Sequence, residues 1–131
     1  MKIIQKDGFK YALHFDFDSA KDSKKFITDH TDPFQVGLFN LKKNEIIQRH
    51  IHNEIEREVK TTSEALVVLE GQIKVSFYDP SNLEIVDELI VSGGELLLML
   101  YGGHSLEVLE DSKFLEVKQG PYIEEMDKRY F

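Results

Sequence analysis

Two histidines, His50 and His52, have the clearest chemical meaning of any residues in this sequence. Side chains alternate between the two faces of a β-strand, so an extended segment would point both imidazoles to the same side. Two imidazoles on short arms can hold one metal ion at about 2.0–2.2 Å. The pair is therefore a candidate for a metal site on a strand, which its spacing alone does not establish. A pair of solvent-facing histidines is the alternative that this spacing leaves open.

Glu64 and His104 are two further residues whose surroundings need a chemical explanation. Glu64 precedes the apolar segment ALVVL, where its charge needs a metal, a basic partner or an exposed strand end. His104 follows Gly102 and Gly103, and glycines allow the backbone to turn sharply and approach closely. The chain has no cysteine, so any transition metal must be bound through nitrogen and oxygen atoms.

The composition is that of one globular domain spanning residues 1–131. A mass of 15.2 kDa allows a real hydrophobic core. The net charge of -8 opposes a nucleic-acid partner, because phosphate binding depends on Lys and Arg. The N-terminal residues lack the apolar stretch of a signal peptide, and no apolar run approaches the roughly 18 residues of a membrane span. We therefore expect a soluble, cytoplasmic protein without a membrane partner.

Short β-rich segments separated by turn residues follow one another from Phe34 onward, which is typical of a sandwich or barrel. We expect an all-β fold with an N-terminal arm at 1–33, a barrel at 34–120 and a C-terminal tail at 121–131. The arm is predicted to contain a short strand at Lys2–Lys6 and a helix running from Ser19 to Ile27. Eight barrel strands are predicted, at 34–41, 45–51, 64–69, 72–78, 83–90, 95–100, 105–109 and 113–119.

The run from Leu96 to Leu100 is apolar at every position, whereas a strand with one face in water would alternate. Its outer face must therefore be covered. Burial beneath the N-terminal arm and a subunit interface both explain this pattern, and they can act together. We accordingly expect a homodimer. The tail is expected to form a short turn or helix that docks on the barrel or on a neighbouring subunit.

The chain resembles the cupin family over most of its length, from about Gln35 to Gln119. The resemblance implies a double-stranded β-helix, that is, a jelly-roll barrel. Three elements are similar to the two sequence motifs of that family: His50-x-His52, Glu64 with six residues between it and Gly71, and Gly102-Gly103-His104.

Several positions depart from the family pattern. Asn44 stands where the first motif has glycine, and the second motif is weaker, with Met99, Tyr101 and Val108 at three of its positions. Eleven residues separate His52 from Glu64, a longer spacer than the family has. Glu56 lies at the family's distance from the histidines, whereas Glu64 lies at the head of the next strand. A strand fixes a ligand better than a loop does, and a longer loop has a modest closure cost, so we favour Glu64.

The resemblance implies a metal site formed by His50, His52, Glu64 and His104. Such a set suits Fe, Mn, Co, Ni or Zn in the divalent state. It also implies a metal-dependent enzyme, such as an isomerase, epimerase or dioxygenase, acting on a carbohydrate or a keto or enol compound by Lewis-acid or oxygen-activation chemistry. A non-catalytic module that binds or senses a small ligand is the alternative. The predicted substrate pocket comprises Gln48, Phe39 or Asn40, Met99 and Tyr101, with Tyr101 as a proton-transfer group or a plug of the barrel end.

Overall fold

The computed structural model describes residues 1–123 and 126–131. The chain forms antiparallel β-sheets, with no α-helix among these residues and one 3-10 turn at Phe17–Ser19. None of the helical segments that the structure describes has the length and hydropathy needed to span a membrane. The strands are β1 (Lys2–Lys6), β2 (Phe9–Asp16), β3 (Lys24–Phe26), β4 (Gly37–Phe39), β5 (Glu64–Glu70), β6 (Gln72–Tyr78), β7 (Ile85–Ser92), β8 (Glu95–Met99), β9 (Gly103–Val108) and β10 (Lys113–Lys118).

Two sheets enclose the main core. One has five strands in the order β1-β2-β8-β5-β10, and the other has three strands in the order β7-β6-β9. Alternate residues of β5 and β6 face each other between the sheets, which removes their apolar surface from water. The fully buried residues of this inner cluster include Leu66, Val68, Ile73, Val75 and Phe77.

A third layer covers the outer face of the five-stranded sheet. The pair β3–β4 and its flanking residues, among them Ile27 and Phe34, pack against Leu96, Leu98 and Leu100. Leu97 and Met99 point the other way, into the inner cluster. Strand β8 is therefore buried on both faces, and the predicted cover by the N-terminal segment is confirmed.

The sequence predicted the later strands well and the N-terminal segment poorly. The short strand at Lys2–Lys6 and the six strands from β5 to β10 are confirmed, with shifts of a few residues at their ends. Residues 1–33 are more than an arm, because β2 pairs with β8 inside the main sheet. The predicted helix from Ser19 to Ile27 is wrong. Within this polar stretch, Lys24–Phe26 form β3 and pair with β4. Ile27 then packs in the outer layer, against the outer face of the five-stranded sheet.

Two predicted strands and the barrel closure require correction. The strand at 34–41 is reduced to Gly37–Phe39, and residues 45–51 form no strand and lie exposed. An extended segment without a partner strand leaves its backbone groups unpaired, so nothing holds it in register. The described sheets do not close into a barrel, because no ladder joins the five-stranded sheet to the three-stranded one.

The C-terminal tail docks back on the sandwich. The ring of Phe131 meets that of Tyr78 edge-on at 5.2 Å between centroids, and the Lys118 ammonium lies 2.9 Å from a carboxylate oxygen of Asp127. These contacts confirm docking within the chain. The part of the predicted turn or helix that falls on Glu124 and Glu125 lies outside the described residues.

The turn between β5 and β6 gives a stability prediction. Gly71 has φ +83°, and a Cβ there would collide with the backbone of Asp111 and Ser112, whereas Gly94 has φ +86° and open space around it. We expect Gly71→Ala to lower the free energy of unfolding by about 2–4 kcal/mol, and Gly94→Ala by about 1–2 kcal/mol, since the second change adds only left-handed strain. Urea unfolding of both variants checks this expectation. Equal losses of unfolding free energy would show that the turn at Gly71 accommodates a Cβ atom without additional strain.

Candidate functional site

Glu64 and His104 meet at one end of the sandwich. Glu64 opens β5 and His104 is the second residue of β9, so the pair connects the two sheets. The Oε2 atom of Glu64 lies 3.1 Å from Nε2 of His104, and both side chains are partly buried. A carboxylate can only accept, so a hydrogen bond between these atoms requires the proton on Nε2 of His104. The register places His104 directly opposite Phe77, which fixes its side chain on the core-facing side.

The surroundings favour the charged form of Glu64. The hydrogen bond from His104 lowers the pKa of the Glu64 carboxyl, burial opposes this effect, and the charge of Lys118 lowers the pKa further. Lys118 is directly opposite Glu64 in the β5–β10 ladder. Its ammonium is paired with Asp127 and lies 4.4 Å from the ring centre of Tyr122. The site therefore combines an imidazole, two carboxylates and an ammonium in one small region.

A cavity of about 860 Å³ contains this pair. That size is typical of clefts that bind small organic molecules. Tyr101 belongs to the cavity wall, where its ring stacks on Phe9 at 4.5 Å and meets Tyr11 edge-on at 5.3 Å. The wall is therefore partly aromatic. Apolar and aromatic lining residues include Tyr78, Met99, Tyr101, Leu106, Met126 and Phe131.

The structure separates the predicted pocket residues into two groups. Met99 and Tyr101 line the cavity beside Glu64 and His104, but Phe39 and Gln48 are not among its lining residues. Phe39 lies in the outer layer because β4 pairs with β3, and its ring contacts the Lys24 ammonium at 5.3 Å. Gln48 is exposed in the segment without regular structure that follows β4, and its backbone oxygen is 2.8 Å from Nδ1 of His50.

His50 and His52 lie in the same exposed segment and do not join Glu64 and His104. Their rings are perpendicular to each other, with centroids 5.1 Å apart. Glu56, the alternative carboxylate, is exposed in this segment as well. Across residues 1–123 and 126–131, no three His, Asp or Glu side chains are grouped so that they could hold a metal. In the described arrangement the side chains of the predicted four-ligand metal site therefore do not fit a metal.

Lys118 and Asp127 are site residues that sequence reasoning did not assign. The pattern of β10 left it uncertain which face Lys118 occupies, and Asp127 lies in a tail without periodicity. The pairing of β5 with β10 identifies Lys118 as a site residue, because it places Lys118 directly opposite Glu64. Opposite charges at the ends of two predicted strands are a signal that could have indicated Lys118.

Comparisons with protein-family models, with curated protein sequences and with solved structures found no match. The function proposed below therefore rests on the residues of this chain.

Proposed function

We propose that this protein binds a small organic ligand in the cavity at Glu64 and His104, as a metal-binding protein of the cupin type. One observation carries the proposal: a partly buried carboxylate–imidazole pair at 3.1 Å, in the wall of a cavity of about 860 Å³. Ionisable groups held together in a concave, partly apolar site are more typical of function than of folding. The pair also contains two of the four residues that the sequence predicts as metal ligands.

The strand order supports the jelly-roll part of the proposal. From β5 to β10 the chain moves repeatedly between the two sheets, giving β10-β5-β8 in one and β9-β6-β7 in the other. A double-sheet jelly roll has eight strands. The six strands from β5 to β10 would account for most of it.

The metal in this proposal is a divalent transition ion, Fe, Mn, Co, Ni or Zn, bound by His50, His52, Glu64 and His104. Imidazole and carboxylate ligands accept all of these ions. Glu64 and His104 contact each other, whereas His50 and His52 are neighbours in a separate exposed segment, so the proposal requires that segment to approach the pair. The homodimer expected from the sequence stays a prediction, which light scattering of the purified chain can check.

The catalytic form of this function is a metal-dependent isomerase, epimerase or dioxygenase, and the second candidate is a module that binds a ligand without turnover. The contacts of Tyr101 favour the module. Its ring packs against Phe9 and Tyr11, as expected of a wall residue. Incubation of the metal-loaded chain with sugars, diketones and phenols separates the two candidates. Product formation would identify an enzyme, whereas saturable binding with every compound recovered unchanged would identify a module.

Metal titration of the untagged chain tests the site itself. We expect one equivalent of Co²⁺ or Zn²⁺ to bind, and we expect Glu64→Gln to weaken binding by roughly 100-fold, because a metal ligand should contribute at least as much as the 10–100-fold typical of outer-shell partners. Glu116→Gln is the matched control, since Glu116 lines the same cavity on β10. Calorimetry measures both affinities. Equal affinities for Glu64→Gln and Glu116→Gln would exclude Glu64 as a ligand.

A further inference from the structure

The C-terminal tail forms part of the wall of the cavity at Glu64 and His104. It contacts both sheets, because the ring of Phe131 packs on Tyr78 of β6 and the Asp127 carboxylate accepts a hydrogen bond of 2.9 Å from the Lys118 ammonium on β10. The tail residues that line the cavity include Ile123, Met126, Asp127 and Phe131. A ligand that enters the cavity therefore meets the tail.

The tail buries a charge rather than an apolar side chain. Among its described residues, 121–123 and 126–131, Asp127 alone is not exposed. The Asp127 side chain is 13% exposed and that of Lys118 is 23% exposed, whereas Met126 and Tyr130 lie in water. Burial of an apolar side chain would fasten a tail with a gain in free energy, but burial of two charges requires that each has a partner. The cavity therefore contains a place that an anion must fill.

This anion site lies beside the carboxylate–imidazole pair. Lys118 is directly opposite Glu64 in the β5–β10 ladder, and Glu64 contacts His104. We propose that Asp127 occupies a subsite for the acid group of the ligand, and that the ligand is a small organic acid whose carboxylate replaces Asp127 on Lys118. Replacing one carboxylate by another keeps the charge balance beside Glu64. This inference rests on the proposed function, in that the ligand binds in the same cavity, and it names the chemical class of that ligand.

The tail is then a competitor of the ligand within the same chain. Asp127 lies only nine residues after Lys118, so its effective concentration at the ammonium is high. The ligand binds to the fraction of molecules whose tail has left the subsite, and its apparent affinity is reduced by that fraction. Removing the charge of Asp127 therefore strengthens ligand binding, whereas removing the charge of Lys118 weakens it. An ion pair that only fastens the tail would not give these opposite effects.

Calorimetry of the full chain with benzoate and its neutral analogue benzamide tests the proposal. Benzoate carries a carboxylate on an aromatic body, which suits the apolar and aromatic lining of the cavity. We expect Asp127→Asn to bind benzoate roughly tenfold or more tightly than the unmodified chain, because the competing carboxylate is lost. We expect Lys118→Met to bind benzoate roughly tenfold or more weakly, and benzamide to respond to neither change.

The ion pair between Lys113 and Glu70 provides matched control variants. Lys113 lies on the same strand as Lys118, its ammonium is 3.5 Å from a carboxylate oxygen of Glu70, and both side chains are largely exposed. Neither residue is among those described as lining the cavity. We expect Lys113→Met and Glu70→Gln to bind benzoate with the affinity of the unmodified chain. Circular dichroism of every variant verifies that the fold is retained.

Unchanged or weaker benzoate binding by Asp127→Asn would overturn the proposal and show that the ion pair only fastens the tail. A carboxylate can also bind a metal ion, so each titration is repeated with a chelator, in which we expect benzoate binding to persist. Binding that disappears with the chelator would assign the carboxylate to a metal and overturn the role of Lys118.

The two probes also separate failure of this inference from failure of the proposed function. Equal affinities for benzoate and benzamide would overturn the acid class of the ligand and leave the cavity as a ligand site. If neither probe binds to any variant, the proposed function and the inference that rests on it both fail.

Discussion

Replacing both His50 and His52 by alanine is expected to weaken binding of Co²⁺ or Zn²⁺ by roughly 1,000-fold or more. The change removes two of the four proposed ligands and leaves Glu64 and His104 in place, where they contact each other at 3.1 Å. Each tenfold loss corresponds to about 1.4 kcal/mol of binding free energy, so the expected loss is about 4 kcal/mol. Competition with a chromophoric chelator measures affinities over this range on untagged protein.

His14→Ala/His30→Ala is the matched control for this experiment. It also removes two of the five histidines, but His14 lies on β2, where its ring contacts Glu95, and His30 follows β3. We expect the control to bind metal with the affinity of the unmodified chain. If both double variants lose affinity equally, binding is a property of the number of histidines, and the proposed site is wrong.

Phe77→Ala is expected to lower the free energy of unfolding by about 3–5 kcal/mol. Phe77 is fully buried on β6, where it fills the space between the sheets, and truncation removes the ring and leaves a cavity. A loss of this size is a large part of the 5–15 kcal/mol that stabilises a typical domain. Because Phe77 is directly opposite His104, we also expect the cavity to weaken metal binding.

Phe39→Ala provides the comparison for Phe77→Ala. Phe39 is a half-exposed phenylalanine of β4, and we expect its truncation to cost about 1 kcal/mol. Urea unfolding monitored by circular dichroism measures both variants. Similar losses for the two phenylalanines would contradict the placement of the main core between β5 and β6.

Strands with local signals could be predicted from the sequence. β5 to β10 combine apolar alternation with turns such as Glu70-Gly71 and Gly93-Gly94, and these signals lie within each strand and its ends. β8 was identified as buried on both faces for the same reason. Predictions that depend on residues close in sequence therefore succeed in this chain.

Predictions that depend on a distant partner fared less well. The segment from Ser19 to Ile27 has neither a helical period nor a strand alternation strong enough to decide its conformation, and its pairing with Gly37–Phe39 decides it. For residues 45–51 the sequence predicts a strand, but a single strand is stable only when it is hydrogen-bonded to a neighbouring strand, and the sequence of the segment does not specify that neighbour. Glu64 and His104 were expected in one site because the resemblance to the cupin family implies both as ligands, and the two side chains do lie in contact.

The outer layer explains why the covered face of β8 does not require a dimer. Ile27, Phe34, Val36 and Leu38 bury the side chains of Leu96, Leu98 and Leu100 within one chain. Many of the exposed large apolar side chains in the described part of the chain lie instead along residues 40–63 and on β9 and β10.

X-ray absorption of the chain loaded with one equivalent of Zn²⁺ tests the central claim most directly, since the scattering pattern of imidazole rings counts the histidines around the metal. Three imidazoles and one carboxylate are the predicted ligand set, supplied by His50, His52, His104 and Glu64. At most one imidazole, or a chain that retains no metal, would contradict the proposed site.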